Sequence, residues 1–340
     1  MIGNPGTNPN AKIVFFGGSE FSLPSLEASA GLATDLLVVT HAPTRVGRAQ
    51  ALTPSPVAAR AKALGVQVLE VANLREQSLR DRLNAFEAKV GVCASFGMIF
   101  RADFLKLFPM GIINVHPSVL PRHRGPSPVQ WTIREGDAET GATLFLIDEL
   151  VDHGPIIAQE RVPVPSEVST PELMQSLAAL GGELLRQTLP RYLNGEISPV
   201  PQDHAAATTT PMLTRDSGKI NWKTDDAAKI DRMIRALSPW PGVWFSIVSP
   251  ERSRRDIVEA PSEKRVKILA AMIRSQHSHI LQNVRMLPGT FFVQENVLGV
   301  QTIRGVLLPS ILQLEGGKPL SSAEFLRGHP WITSVEICVT

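Results

Sequence analysis

Two short stretches of the chain carry side chains that could polarise a carbonyl or move a proton. In Ile112-Ile113-Asn114-Val115-His116-Pro117-Ser118 an apolar run ends with polar residues at alternate positions. Alternation puts Asn114 and His116 on one side of a strand. There an amide and an imidazole could orient a carbonyl and shuttle a proton. The second stretch is Ile147-Asp148, followed by Val151-Asp152-His153-Gly154. A carboxylate beside an imidazole fixes which ring nitrogen carries the proton. Capping a strand and starting a turn are the commoner uses of the same residues. A third stretch, His41 to Ser55, holds Arg45, Gly47 and Arg48 and no acidic residue. It exceeds the ~2–6 residues usual between a strand and a helix. Such a loop suits a phosphate-bearing partner, or is simply solvated.

Other chemistries find less support. His116, His123 and His153 lack a helical His-x-x-x-His spacing and an assisting cysteine, so no metal site is expected. There is no Gly-x-Ser-x-Gly elbow. Gly17-Gly18 lacks the Gly-x-Gly-x-x-Gly of a dinucleotide site and reads as a tight turn.

The elements that must position these residues follow from periodicity. Lys12–Phe16, Asp35–Thr40, Val66–Val71, Val90–Ser95 and Gly111–His116 are apolar runs of strand length. Ser55-Pro56 predicts an N-cap with proline at the first helical position, and Gly65 closes that helix. Leu79, Leu83 and Phe86 keep helical spacing, and Ser127-Pro128 opens a helix stopped at Gly136. This βαβα rhythm predicts a mostly parallel, doubly wound, Rossmann-like sheet, whose ligands bind beyond the carboxyl ends of the strands. Ala142–Asp148 and Pro155–Val164 read as an antiparallel edge, and Thr170-Pro171 starts a helix with Leu173, Leu177, Leu180 and Leu184 on one stripe. Farther on, Thr224 is expected to cap a helix with Asp225 and Asp226 in its first turn. From Gly242 short strands with Gly and Pro turns predict a small OB-like β-barrel. The domains expected are a loose tail over 1–11, a catalytic domain over 12–194, a linker over 195–210 and the barrel over 211–340.

The 340 residues suit two domains, and 43% hydrophobic with 19% charged content excludes a disordered chain. Two cysteines, Cys93 and Cys338, exclude a disulfide scaffold. No apolar run approaches the ~18 residues of a spanning helix, and the N-terminus lacks the pattern of a signal peptide. A cytoplasmic protein without membrane contact is expected, and nothing demands more than a monomer. Residues 209–340 hold 17 Lys and Arg against 12 Asp and Glu, a net of +5, and the rest hold 17 against 20, a net of −3. That asymmetry is consistent with an anionic partner for the second domain.

Asn114-Val115-His116-Pro117-Ser118-Val119-Leu120-Pro121, continuing into Arg122-His123-Arg124-Gly125-Pro126-Ser127-Pro128, resembles the signature of the folate-dependent formyltransferases. Asp152-His153-Gly154-Pro155 resembles that family's second motif. The loop from Thr40 into Leu52-Thr53-Pro54-Ser55-Pro56, Lys219-Ile220-Asn221-Trp222 and Arg235-Ala236-Leu237-Ser238-Pro239-Trp240-Pro241-Gly242 are similar to the branch that acts on tRNA. The likeness spans residues 12–330. It implies formyl transfer from 10-formyltetrahydrofolate, with no metal, to the amino group of methionyl initiator tRNA. It implies Asn114, His116 and Asp152 as the catalytic trio. Ser118, Val119, Leu120 and Pro121, with the backbone of Phe96, Gly97 and Met98, would hold the folate, and Arg45 and Arg48 the tRNA. Three features depart from the pattern: Gly17-Gly18-Ser19 where Gly-Thr-Pro is usual, Pro117 in place of glycine, and His153-Gly154-Pro155 after Asp152. The last two also resemble glycinamide ribonucleotide formyltransferases. Transfer to a small amine, such as an amino sugar nucleotide or glycinamide ribonucleotide, and hydrolysis of the folate donor are the alternatives. Residues 251–285 match none of these patterns.

Overall fold

The computed structural model describes residues 11–46, 51–249, 252–254, 257–259, 262–274, 286–294 and 297–333. Gly47–Gln50, and with them Arg48, lie outside the described residues, as do parts of 251–285.

The first half builds β1 (Lys12–Gly17), α1 (Leu23–Leu32), β2 (Asp35–His41), β3 (Thr44–Val46), β4 (Ala51–Thr53), α2 (Pro56–Ala63) and β5 (Gln67–Val71). It continues through α3 (Gln77–Phe86), β6 (Val90–Ala94), α4 (Ala102–Leu105), β7 (Ile112–His116) and α5 (Pro128–Glu135). It closes with β8 (Glu139–Leu146), β9 (Ile156–Pro163) and α6 (Thr170–Leu193). Seven strands form one sheet in the order β5-β2-β1-β6-β7-β8-β9. The first five are parallel, and β8 and β9 add the expected antiparallel edge.

Both faces of the sheet are covered, because Ile13 and Phe15 on one side of β1 and Val14 and Phe16 on the other are all buried. Phe96, Phe100, Phe104 and Phe108 recur at every fourth position and ring Phe16 at 5.1 to 5.9 Å between centroids. That cluster anchors the segment leaving β6.

Some elements differ from the sequence reading. Periodicity gives no helix between β1 and β2, yet α1 forms there from small residues, burying Ser25, Leu26, Ala28 and Ser29. The long basic loop contains a hairpin, with Thr44 opposite Thr53 and Arg45 opposite Leu52. A hydrogen bond of 2.7 Å between the Thr40 and Ser55 hydroxyls links the ends of that excursion. Ser55 does cap α2, accepting from the Ala58 amide at 3.0 Å.

Over the described residues the chain divides into two compact units. One comprises the chain up to Val129, Ala138–Pro165 and Glu172–Pro211; the other comprises Gln130–Asp137, Ser166–Pro171 and the chain from Met212. Residues 195–210, read as a linker, therefore belong to the first unit. The second unit contains α7 (Ala227–Ala236), β10 (Val243–Ser249), β11 (Arg252–Arg254), β12 (Ile257–Glu259), β13 (Ser262–Arg274), β14 (Phe291–Gln294), β15 (Val297–Gln301), β16 (Val306–Leu314), β17 (Leu320–Ser321) and α8 (Ser322–Gly328). Its main sheet runs β10-β13-β16-β15-β14, with β17 on β16. Phe245 on the first strand of that order and Phe291 on the last lie 5.2 Å apart, and Trp222 meets both rings edge-on. The sheet curls until its ends share one aromatic cluster, the closure a small barrel needs.

The cap of α7 is Asp226, not Thr224. Its carboxylate accepts from the Lys229 amide at 2.8 Å and pairs with Arg304. Burial would raise this carboxyl, but that amide and the Arg304 guanidinium hold it below the ordinary carboxylate range. Asp226→Ala is expected to remove about 0.5–2 kcal/mol of stability at neutral pH. Because the folded-state carboxyl is depressed, the difference from wild type shrinks as pH falls and the wild-type group protonates. Urea unfolding midpoints at two pH values check both statements.

Candidate active site

The strand order reverses between β1 and β6, so the carboxyl ends of these strands and of β7 flank a topological switch point. Ser19 donates to Ser95 at 2.8 Å, tying the turn after β1 to the turn after β6. His41 at the end of β2 reaches the Phe96 carbonyl through Nε2. Gly18 has to be small there: a Cβ would lie 2.7 Å from the His41 ring.

At the end of β7, Asn114 and His116 share one side of the strand, as alternation predicts. The Asn114 amide is half-buried, and among the described residues nothing hydrogen-bonds it. His116 is buried, and its Nε2 lies 3.0 Å from the His123 carbonyl. A carbonyl only accepts, so Nε2 carries the proton. Nδ1 faces the Asp152 carboxylate at 3.7 Å, too long for a direct hydrogen bond.

Asp152 reaches this position from the β8–β9 loop with a left-handed backbone, φ 49°. The Gly125 amide donates to its Oδ2 at 2.7 Å. Gly125 itself has φ 107°, and a Cβ there would fall 2.5 Å from the Thr210 carbonyl oxygen. The imidazole neighbouring Asp152 in sequence is used elsewhere: His153 pairs with Asp148 at 2.7 Å and stacks on His204. The carboxylate that meets a catalytic-type imidazole is thus brought in by the fold, from Asp152 to His116.

The sequence reading missed the residues that hold this arrangement. Arg124 is buried and donates to Gln202 Oε1 at 2.6 and 3.1 Å and to His204 Nδ1 at 2.8 Å. Gln202, also buried, donates through Nε2 to the carbonyls of Asp152 at 3.0 Å and Gly154 at 2.8 Å. Thr208 accepts from the His123 amide at 2.8 Å, and residues 208–210 run beside Arg124 as a short parallel bridge. The stretch read as a linker is a strap over the site. The only sequence signal was the placement of Gln202 and Thr208–Thr210 among small residues, which also suits a linker.

Ser118 to Pro121 form the turn after β7. Ser118 and Leu120 are buried and their polar groups are used internally. Ser118 donates to the Arg122 carbonyl at 2.7 Å, and Gln159 donates to the Leu120 carbonyl at 2.6 Å. Val119 and Pro121 remain half-buried. In the turn after β6, Phe96 is buried, Gly97 is exposed with φ 74° and Met98 is half-buried. A cavity of about 540 Å³ opens on Gly97 and Met98, lined also by Leu74, Arg75 and Phe104; Asn114, His116 and Asp152 do not line it. Arg45 stands exposed on β3 in the hairpin. Among the described residues no group of three or more His, Cys, Asp or Glu side chains could hold a metal ion, and no helix is long and apolar enough to cross a membrane.

Two outcomes follow from this packing. Gln202→Ala leaves a buried guanidinium and two carbonyls short of partners, so a loss of about 1–3 kcal/mol is expected in thermal or urea unfolding. Cys93 lies opposite Asn114 across β6 and β7. Burial pushes its thiol far above the ordinary range, and the Asp152 charge adds to the rise. Native protein treated with iodoacetamide at pH 8 should leave Cys93 unlabelled, with full labelling only after denaturation, as read by peptide mass mapping.

Family models with this architecture match both halves of the chain. "Formyl transferase" matches residues 11–189 and "Formyl transferase, C-terminal domain" residues 212–330. A methionyl-tRNA formyltransferase of Roseiflexus sp. (strain RS-1) is 40% identical, covering 93% of this chain and 92% of its own. That of Myxococcus xanthus is 35% identical, covering 94% and 95%. Among solved structures, an N-formyltransferase from Helicobacter canadensis, in complex with folinic acid and dTDP-3-aminofucose, has a TM-score of 0.60 at 18% identity over 88% of this chain and 98% of its own. HypX from Aquifex aeolicus, in complex with tetrahydrofolic acid, has a TM-score of 0.56 at 15% identity over 95% of this chain and 48% of its own. At those identities the structures share the fold. With models matched in both units and relatives matched along nearly its whole length, the chain belongs to the formyl transferase family.

Proposed function

We propose that this enzyme transfers the formyl group of 10-formyltetrahydrofolate to the amino group of methionyl initiator tRNA in the cytoplasm. The observation that carries the reading is the meeting of Asn114, His116 and Asp152 at the end of β7. Attack of an amine on a formyl carbon places negative charge on the formyl oxygen, and the attacking amine must shed a proton.

Each residue has a task that its contacts support. The Asn114 amide has no partner within the described protein and is available to donate to the developing oxyanion. His116 spends Nε2 on the His123 carbonyl, so Nδ1 is the nitrogen turned to the reaction. Protonated, Nδ1 is a second donor to the oxyanion. Asp152, fixed by the Gly125 amide, is the acceptor for the amine's proton, directly or through water. When the new C–N bond has formed and the bond to N10 of the folate breaks, N10 takes up a proton, and the Nδ1–Asp152 pair is the group beside which that proton is held.

The turn of Phe96, Gly97 and Met98 suits the pterin ring, because the backbone of exposed Gly97 can match its donors and acceptors. Val119 and Pro121 offer apolar contact on the other turn, while Ser118 and Leu120 act by fixing it. The exposure of Arg45 on the hairpin supports a role in holding the phosphates of the acceptor stem; Arg48 is assigned the same role on sequence alone. The choice of tRNA over a sugar-linked amine rests on relatives of 35–40% identity that carry the tRNA activity in their names, against 18% for the N-formyltransferase in complex with dTDP-3-aminofucose.

The test is single-turnover formylation of methionyl initiator tRNA with 10-formyltetrahydrofolate, followed by acid gel. Wild type should produce formyl-methionyl-tRNA, and Asn114→Ala should be slower by about 10²–10³, as expected for one lost oxyanion donor. Wild type that consumes the donor and leaves the tRNA untouched would overturn the acceptor.

A further inference from the structure

The second unit carries a basic, aromatic pocket that the chemistry described above does not use. It has a volume of about 400 Å³ and is lined by Arg215, Trp240, Trp244, Arg265, Lys267 and Glu315, among others. All of these residues lie within the one unit.

Its walls are built for different tasks. Trp244, on β10, is buried; its indole N–H donates to the Arg215 carbonyl at 2.9 Å. The Arg265 guanidinium lies 4.4 Å from the Trp244 ring centroid, a cation–π contact that holds the exposed charge in place. Lys267 donates to the Pro241 carbonyl at 3.0 Å, fixing the turn that carries Trp240. Trp240 itself is 54% exposed. A large indole held out to solvent by a pinned turn is not explained by core packing. Three cations face a single carboxylate, Glu315, and that carboxylate is itself engaged with the Arg265 amide at 3.3 Å.

An exposed indole in a pocket lined by cations, one of them the Arg265 guanidinium held on the Trp244 ring, is the composition that binds single-stranded nucleic acid, with bases on the ring and phosphates on the cations. We propose that this pocket binds an unpaired nucleotide of the RNA acceptor, its base stacked on Trp240 and its phosphate between Arg215 and Arg265. This deepens the proposed function and rests on its RNA acceptor. An A-form duplex presents no free base face, so the pocket selects a nucleotide from a loop or an end of the folded RNA.

The experiment is equilibrium filter binding of full-length protein with methionyl initiator tRNA over a series of salt concentrations. Trp240→Ala should weaken binding on the order of tenfold or more, and Trp240→Phe should restore most of it. Arg215→Ala should lower the slope of log affinity against log salt by about one. Both altered side chains are exposed, and unfolding midpoints equal to wild type establish that the variants fold. Wild-type affinity in Trp240→Ala and Arg215→Ala, with wild type itself binding well, overturns the pocket and leaves the acceptor reading standing. A loss confined to Arg215→Ala leaves only a polyanion surface and also overturns it. Wild type that binds no tRNA overturns the acceptor reading and the pocket together.

Discussion

A buried guanidinium is what the reactive end of the first sheet depends on. Arg124 sits in the turn after β7, out of water, and such a charge is unfavourable unless its donors are used. Gln202 and His204 use them, and Gln202 passes the constraint on by donating to the Asp152 and Gly154 carbonyls. One amide thus couples the β7 turn to the β8–β9 loop. The Gly125 amide then sets the Asp152 carboxylate directly, and the His123 carbonyl orients His116. Residues from three separate stretches of chain, 116–125, 152–154 and 202–204, are held at hydrogen-bonding distances around the side chains proposed to react.

This division of labour bears on catalysis. An oxyanion donor is effective when it is fixed in advance, because reorganisation during the reaction weakens its contribution. Asn114 is fixed by a strand paired on both sides, and His116 by the same strand and by its Nε2 contact. Asp152 lies in a loop and has no such ladder. The strap of residues 202–210 supplies the equivalent restraint, which explains why a stretch of small and polar residues packs on the first unit. The gap of 3.7 Å between Nδ1 and Asp152 leaves the two groups facing but not bonded, so both can engage a third group.

Much of this was legible in the sequence because local rules and fold agree there. The apolar runs of β1, β2, β6 and β7 are buried on both faces, and alternation along β7 correctly put Asn114 and His116 on one side. Ser55-Pro56 gave a helix start that matches α2. Three things were not legible, each for a physical reason. Leu23–Leu32 packs through serine and alanine, so it has no apolar stripe to read. Thr224 and Asp226 are both cap-forming types, and the contacts of Asp226 with Lys229 and Arg304 decide between them. The role of Gln202 depends on a partner 78 residues earlier in the chain, which no local pattern reports. Asp152-His153 shows the converse: adjacency suggested a pair, while the fold joins Asp152 to His116 and gives His153 to Asp148.

If His116 and Asp152 handle one proton between them, their contributions are not independent. The direct test is a double-mutant cycle on single-turnover formylation of methionyl initiator tRNA, with His116→Ala, Asp152→Ala and the two combined. Groups acting as a unit are strongly non-additive, so the double variant should be no slower than the slower single variant. Rate losses that multiply would show that the two residues act separately, and would contradict a shared reaction centre at the end of β7.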